Sequence, residues 1–154
     1  MRLAVLTVGK GGNAWADAAV GEYGKRIRRF HRIEEQAVKP ARYRGDEDAV
    51  RRAEAERLLA ALGDRDRLVA LDERGDDLDS HAFADLLRTC RVSGTHRLVF
   101  ALGGPYGHDA ALRERAWRTI RLSSLVLNHE VARVVLYEQI YRGLSLLAGH
   151  PYHH

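Results

Sequence analysis

Side chains that donate and accept protons are concentrated near the C-terminal end of the sequence. They are Arg133, Glu138, Gln139, Tyr141, Arg142 and the closing run Pro151-Tyr152-His153-His154. Carboxylate and imidazole groups suit general acid–base catalysis, and guanidinium and imidazole N–H groups stabilise negative charge. A structural explanation stands beside this one. Glu138 and Arg142 have the i, i+4 spacing of a surface ion pair, and terminal residues are commonly frayed.

Two adjacent glycines follow the most apolar segment of the chain, residues 97–102, in the run Gly103-Gly104-Pro105-Tyr106-Gly107. Glycine permits positive φ and close backbone approach, which suits a flat or anionic ligand. The run is neither G-x-G-x-x-G nor a P-loop, so neither a Rossmann dinucleotide site nor a nucleotide-binding P-loop is indicated. A plain strand-to-helix turn is the alternative.

Three other kinds of site find little support in the sequence. Ser123 and Ser124 lie outside any G-x-S-x-G elbow, which argues against a serine hydrolase. Cys90 is the single cysteine and falls inside a predicted helix, as a small core residue would. The C-terminal histidines have no carboxylate or cysteine beside them, so we predict no metal site.

The elements that must position these residues alternate along the chain. Strands are predicted over residues 3–8, 33–39, 68–71 and 97–102, with residues 122–127 strand-like or extended and residues 72–79 an acidic loop. Helices are predicted from Asn13 to residue 30, from Asp46 to a stop at Gly63, from Ser80 to residue 92, over residues 109–118 and over residues 129–148. This alternation predicts an α/β fold, with a mostly parallel sheet and helices on both faces. Ligands of such sheets bind beyond the carboxyl ends of the strands.

Size and composition set the broad class. The chain has 154 residues, 45% of them apolar and 30% charged, which predicts a single globular domain over residues 1–154. No apolar run approaches the ~20 residues of a membrane span, and the first residues lack the features of an export signal. We therefore expect a cytoplasmic protein that does not bind a membrane.

Charge is distributed unevenly. Residues 25–44 carry eight basic residues against two acidic ones, whereas residues 72–85 carry six acidic residues against one arginine. The basic residues are Lys25, Arg26, Arg28, Arg29, Arg32, Lys39, Arg42 and Arg44. Such a segment can bind a polyanion, and the alternative is a solvated surface.

Three motifs and the closing residues occur in a fixed order. They are Phe100-Ala101-Leu102-Gly103-Gly104-Pro105-Tyr106-Gly107, then Leu122-Ser123-Ser124-Leu125-Val126-Leu127-Asn128-His129, then Arg133-Val134-Val135-Leu136-Tyr137-Glu138-Gln139-Ile140-Tyr141-Arg142, and finally Gly149-His150-Pro151-Tyr152-His153. Together they resemble the RlmH family, small SPOUT-class methyltransferases that act on a pseudouridine of large-subunit ribosomal RNA. The likeness spans essentially the whole chain.

The resemblance implies a trefoil-knotted α/β domain, an exception to the rule that chains do not thread loops. It also implies a homodimer, S-adenosylmethionine as methyl donor, and methylation of N3 of a pseudouridine, position 1915, in 23S rRNA of the assembled ribosome. The cofactor contacts that it implies are Leu71, Gly103, Gly104, Leu122, Ser123, Ser124, Leu125, Val126 and Leu127.

The acceptor in this reaction is an imide N–H whose proton must leave, so a base or a group that stabilises the anion is required. The candidates by residue type are His129, Glu138, Arg142, Tyr152 and His153. Which of them is the base stays open. The rival functions are a SPOUT methyltransferase for another RNA such as tRNA, a non-catalytic ribosome-binding factor, and a small-ligand enzyme unrelated to RNA.

Overall fold

The computed structural model describes all 154 residues, which form five strands and five helices in alternation. The strands are β1 (Arg2–Val8), β2 (Ile33–Val38), β3 (Asp66–Asp77), β4 (Arg97–Leu102) and β5 (Arg118–Arg121). The helices are α1 (Ala14–Ile27), α2 (Glu47–Ala60), α3 (Ser80–Val92), α4 (Ala110–Arg115) and α5 (His129–Leu147). All pairs are parallel, in the order β2-β1-β4-β3-β5, so the predicted α/β class is confirmed.

The helices cover both faces of the sheet, because successive strand side chains point to opposite sides. On one face, Leu3 and Val5 of β1 belong to a core that includes side chains of α1, α3 and α5. On the other face, Ala4 and Leu6 pack with residues of α2 and α4, among them Leu58. The sheet is thus buried on both sides, as its apolar strands require.

The β3–β5 edge differs from the prediction in three places. The acidic run is not a loop, since β3 continues to Asp77 with a bulge between Leu71 and Asp76. The helix predicted over residues 109–118 stops at Arg115, because residues Arg118–Arg121 form strand β5, which pairs with β3. Residues 122–127, predicted as strand-like or extended, form an irregular loop. Arg118 and Arg121 contact Asp76 and Asp77 across the strands at 3.3 and 3.0 Å, a distant pairing that no local pattern reveals.

Helix termini differ from the prediction in smaller ways. Helix α3 is capped by Asp79 rather than Ser80, because the Asp79 carboxylate accepts the Ala82 N–H at 2.7 Å. Gly63 is not a left-handed stop for α2, which ends at Ala60, and α1 ends at Ile27 rather than residue 30.

Three connections meet at the carboxyl edge of the sheet, where ligands of parallel sheets bind. The basic loop (residues 39–45) follows β2, the glycine loop (residues 103–107) follows β4, and the 122–128 loop follows β5. None of the helices combines the length and the apolar character needed to cross a membrane.

Candidate functional site

A cavity of about 500 Å³ opens at the carboxyl edge of the sheet. Its volume lies within the range of small-molecule sites. The structure brings all nine residues predicted to contact a cofactor into its wall. They are Leu71, Gly103, Gly104, Leu122, Ser123, Ser124, Leu125, Val126 and Leu127. Three separate strand ends therefore converge on one cavity.

The wall also contains residues that were not among the predicted cofactor contacts. They are Glu47, Asp72, Glu73, Arg74, Leu102, Pro105, Tyr106, Gly107, His108, Arg121 and Ala132. The strand-end rule points to Asp72, Glu73 and Arg74, which follow Leu71 directly. Glu47 has no such signal, since it begins α2 on another layer of the molecule.

Two positions of the glycine loop leave little room for a side chain. A Cβ on Gly103 would lie 3.3 Å from the Gly107 carbonyl carbon and the His108 ring, and a Cβ on Gly104 would lie 2.5 Å from a carboxylate oxygen of Glu54. Gly107 has a φ of 78°, in the left-handed region, and donates its N–H to the Gly104 carbonyl at 3.0 Å. The loop is therefore a tight turn with backbone at the cavity.

Two histidines hold the glycine loop in place. His108 is buried, and its Nε2 donates to the Ala101 carbonyl at 3.0 Å; burial lowers the pKa of His108 and so favours the neutral ring. His129, at the start of α5, donates from Nδ1 to the Gly103 carbonyl at 3.1 Å. Of the five predicted catalytic residues, His129 is the one in the cavity wall.

The other four predicted catalytic residues meet in a second site, the tail cluster: Glu138, Arg142, Tyr152 and His153. Glu138 Oε1 accepts from Arg142 Nε at 3.0 Å, from Arg142 Nη2 at 2.7 Å and from the Tyr152 hydroxyl at 3.2 Å. Arg142 Nη1 donates to His153 Nδ1 at 3.3 Å, and the guanidinium lies 4.8 Å from the centre of the Tyr152 ring. None of the four belongs to the cavity wall.

Packing fixes the tail cluster against α5. The Gln139 amide donates to Glu138 Oε2 at 2.6 Å, and the Tyr152 ring contacts Tyr141 edge-on with ring centres 4.6 Å apart. Burial raises the pKa of Tyr152, and the Glu138 hydrogen bond raises the pKa of Arg142, so phenol and guanidinium both keep their protons. In this structure the tail is a packed segment with an organised set of N–H donors, which can bind an anion or a carbonyl oxygen.

Arg133 and His150, which the sequence analysis also named, pack within the fold. Arg133 is buried and contacts Asp17 and Glu35 at 2.7 Å and Glu130 at 3.2 Å, so it joins α1, β2 and α5. The His150 ring packs edge-on against Phe30. No group of three or more His, Cys, Asp or Glu side chains is arranged to hold a metal ion.

The basic segment is split by the fold. Apart from Arg26, which pairs with Glu22 at 3.0 Å, its basic side chains make no ion pair. Those at residues 25–32 precede β2, and those at residues 39–44 follow it, so β2 separates the two groups by roughly 20 Å. The basic loop alone lies at the edge that holds the cavity.

Known proteins that this chain resembles are described as methyltransferases. A family model described as "Predicted SPOUT methyltransferase" matches residues 1–153. A ribosomal RNA large subunit methyltransferase H of Geotalea daltonii is 43% identical over 154 residues, covering all of both chains. Proteins of the same name from Geobacter sp. strain M21 and Geotalea uraniireducens are 43% and 40% identical, over all of this chain and 99% and 100% of theirs.

Proposed function

We propose a function from one premise, that the chain belongs to the SPOUT methyltransferase family, which its full-length matches establish. The proposed reaction transfers a methyl group from S-adenosylmethionine to N3 of a pseudouridine, position 1915, in 23S rRNA of the assembled ribosome. The observation that carries the proposal is the convergence of all nine candidate cofactor residues on one cavity. The name of these relatives supports ribosomal RNA as the substrate class.

The cavity fits the chemistry of this donor. Leu122, Leu125 and Leu127 supply apolar surface for an adenine ring, and the irregular 122–128 loop offers backbone N–H and C=O groups beside it. Gly103 and Gly104 leave room where side chains would block the wall. The bound donor supplies a methyl group already activated by its positive sulfur. The protein's task is therefore alignment of donor and acceptor.

The tail cluster fits the acceptor. When the imide loses its N3 proton, negative charge spreads onto the flanking carbonyl oxygens, which N–H donors stabilise. We assign Arg142 and His153 to this role and Glu138 to holding Arg142, because both Glu138 oxygens already accept hydrogen bonds. Tyr152 packs beside the guanidinium and can present its ring to the base.

The tail cluster contributes no residue to the cavity wall of its own chain. We therefore propose a homodimer in which the tail cluster of one copy faces the cavity of the other. Exposed apolar side chains in the cavity wall and in the first turn of α5 suit burial by a second copy: Val126 in the wall is 92% exposed and Val131 of α5 is 37% exposed. Leu136 of α5 is fully buried in its own chain's core and therefore lies outside this contact.

Isotope transfer tests the proposal. Ribosomes from a strain lacking the enzyme are incubated with the protein and donor carrying a trideuterated methyl group, and nucleosides from 23S rRNA and tRNA are analysed by mass spectrometry. We expect label on the pseudouridine of 23S rRNA. Label confined to tRNA would reassign the substrate, and ribosome binding without label would favour a non-catalytic factor.

The cavity assignment is tested by a pair of glycine variants. Gly103→Val is expected to weaken donor binding at least about tenfold, because the new side chain crowds the glycine loop. A tenfold loss of affinity corresponds to about 1.4 kcal/mol of binding free energy. Gly12→Val is the control, because a Cβ there meets no atom within 4 Å. Titration calorimetry on the folded proteins measures both; equal affinity for Gly103→Val and wild type would misplace the cavity.

A further inference from the structure

One face of α2 holds two of the loops at the carboxyl edge. Arg57 donates to the Lys39 carbonyl at 2.7 Å, and Glu54 Oε1 accepts the Ala41 N–H at 3.1 Å, so both side chains bind the basic loop. Arg51 donates to the Tyr106 carbonyl at 3.2 Å and so binds the glycine loop. The three α2 residues are spaced three apart and share one side of the helix.

Glu54 touches both loops. The residue is only 3% exposed, and its Oε2 atom is buried without a hydrogen-bond partner. Oε2 lies against Gly104, where a side-chain Cβ would approach it to 2.5 Å. A buried carboxylate oxygen left unpaired costs stability, so its retention calls for a role that an apolar side chain could not fill. The hydrogen bond to Ala41 is such a role.

A second link joins the same two loops on the outside. The rings of Tyr43 in the basic loop and Tyr106 in the glycine loop lie 5.7 Å apart at 30°. Such aromatic pairs add stabilisation beyond the area that they bury. The Tyr43 side chain is half exposed, so a ligand bound to the basic loop can act on this contact.

We propose that Glu54 is a positioning residue that couples the basic loop to the glycine loop, so that polyanion binding at the first and donor binding at the second strengthen each other. The proposal rests on the proposed function. Arg42 and Arg44, which make no ion pair, lie on the basic loop and can bind phosphates. Gly103 and Gly104 lie in the cavity wall. Coupling between sites is reciprocal, so it can be read from either ligand.

The test measures the affinity of S-adenosylhomocysteine, which has no methyl group to transfer, with and without saturating 70S ribosomes. For the wild-type protein we expect ribosomes to tighten binding at least about fivefold, the lower end of typical allosteric coupling. Glu54→Ala is expected to reduce this factor below about twofold. Glu54→Gln is expected to keep most of it, because the amide oxygen still accepts the Ala41 N–H.

Two further variants keep the test decisive. Glu56→Ala removes an exposed carboxylate from the same helix and should leave the factor unchanged. Tyr43→Ala changes a surface residue and should lower the factor even if Glu54→Ala fails to fold. Wild-type coupling retained in either Glu54→Ala or Tyr43→Ala overturns the proposal, as does a wild-type factor of one. A wild-type protein that binds neither ligand contradicts the proposed function instead.

Discussion

The direction of one hydrogen bond sets what the His153 side chain can do. Arginine has only donors, so His153 Nδ1 must accept from Arg142 Nη1, and the proton of the neutral ring sits on Nε2. His153 then offers an N–H donor rather than a free basic nitrogen. His153 is therefore better suited to stabilise the deprotonated nucleobase of the substrate than to remove its proton.

Replacing His153 with alanine should therefore slow methyl transfer without affecting donor binding. We expect a rate loss on the order of 10², as for other donors to a developing anion. Single-turnover assays at saturating ribosome and donor measure the rate, and calorimetry measures donor affinity. His154→Ala, at the exposed next position, is the control. A full rate for His153→Ala would make the tail a structural segment only.

Stability of the wild-type protein should depend on pH through Glu54. Burial raises the pKa of this carboxyl above its ordinary 4.5, so the folded state favours its protonated form. The resulting stabilisation is present below the unfolded-state pKa and is lost as pH rises through the folded one. Glu54→Gln escapes this loss, so its stability relative to wild type should increase upward from about pH 4.5.

Urea unfolding at a series of pH values tests the Glu54 prediction. The relative gain should grow from about pH 4.5 towards neutral pH. Glu56→Gln, at an exposed position, should show no such trend. A gap that narrows as pH rises would mean that Glu54 is ionised and compensated in the fold.

Single residues differ in how well the sequence predicts them. The cavity residues could be named because strand ends converge in parallel sheets and the motifs resemble a known family. Glu54 could not, because it lies among arginines and glutamates in a segment typical of a solvated helix face. Glu54 is buried only when the basic loop and the glycine loop, which are far apart from each other in the sequence, both pack against α2.

At the scale of elements, the position of β2 gives the two basic groups different expected effects. Charge reversal at Arg42, in the basic loop, should weaken ribosome binding and lower the slope of log affinity against log salt by roughly 0.7–0.9 per lost phosphate contact. Arg28→Glu, at the opposite end of β2, should have a smaller effect. Filter binding across a salt series compares the two variants; equal slopes would show that RNA contacts both ends.

Element boundaries show where local patterns stop being informative. The apolar runs of β1 and β4 form central strands and could be located closely from the sequence. Strand β5 could not, because among its four residues only Ile120 is fully buried and its two arginines each donate a hydrogen bond to an aspartate more than 40 residues away. The same pairing turns the acidic run into strand. Pairing with a strand distant in the sequence defines this edge, and the pattern of apolar residues does not reveal it.

At the scale of the whole molecule, the residues that we propose for binding and for catalysis lie in two separate places. The cavity lies at the carboxyl edge of the sheet, and the tail cluster packs on α5 without contributing to the cavity wall. Exposed apolar side chains of the cavity wall and of α5 would be buried by a second copy. The single domain and the trefoil knot stay predictions for this chain, whereas the division of chemistry between two copies has a direct test.

Complementation between two inactive variants tests the division. Gly103→Val disables the cavity and keeps the tail, and a chain lacking residues 151–154 keeps the cavity and loses the tail. In an equimolar mixture with random exchange, half of the dimers are mixed, and each mixed dimer has one intact composite site of two. Activity should therefore return to about a quarter of the wild-type value. Sites contained within one chain would give none, and sedimentation equilibrium on the same mixture checks that dimers form and exchange.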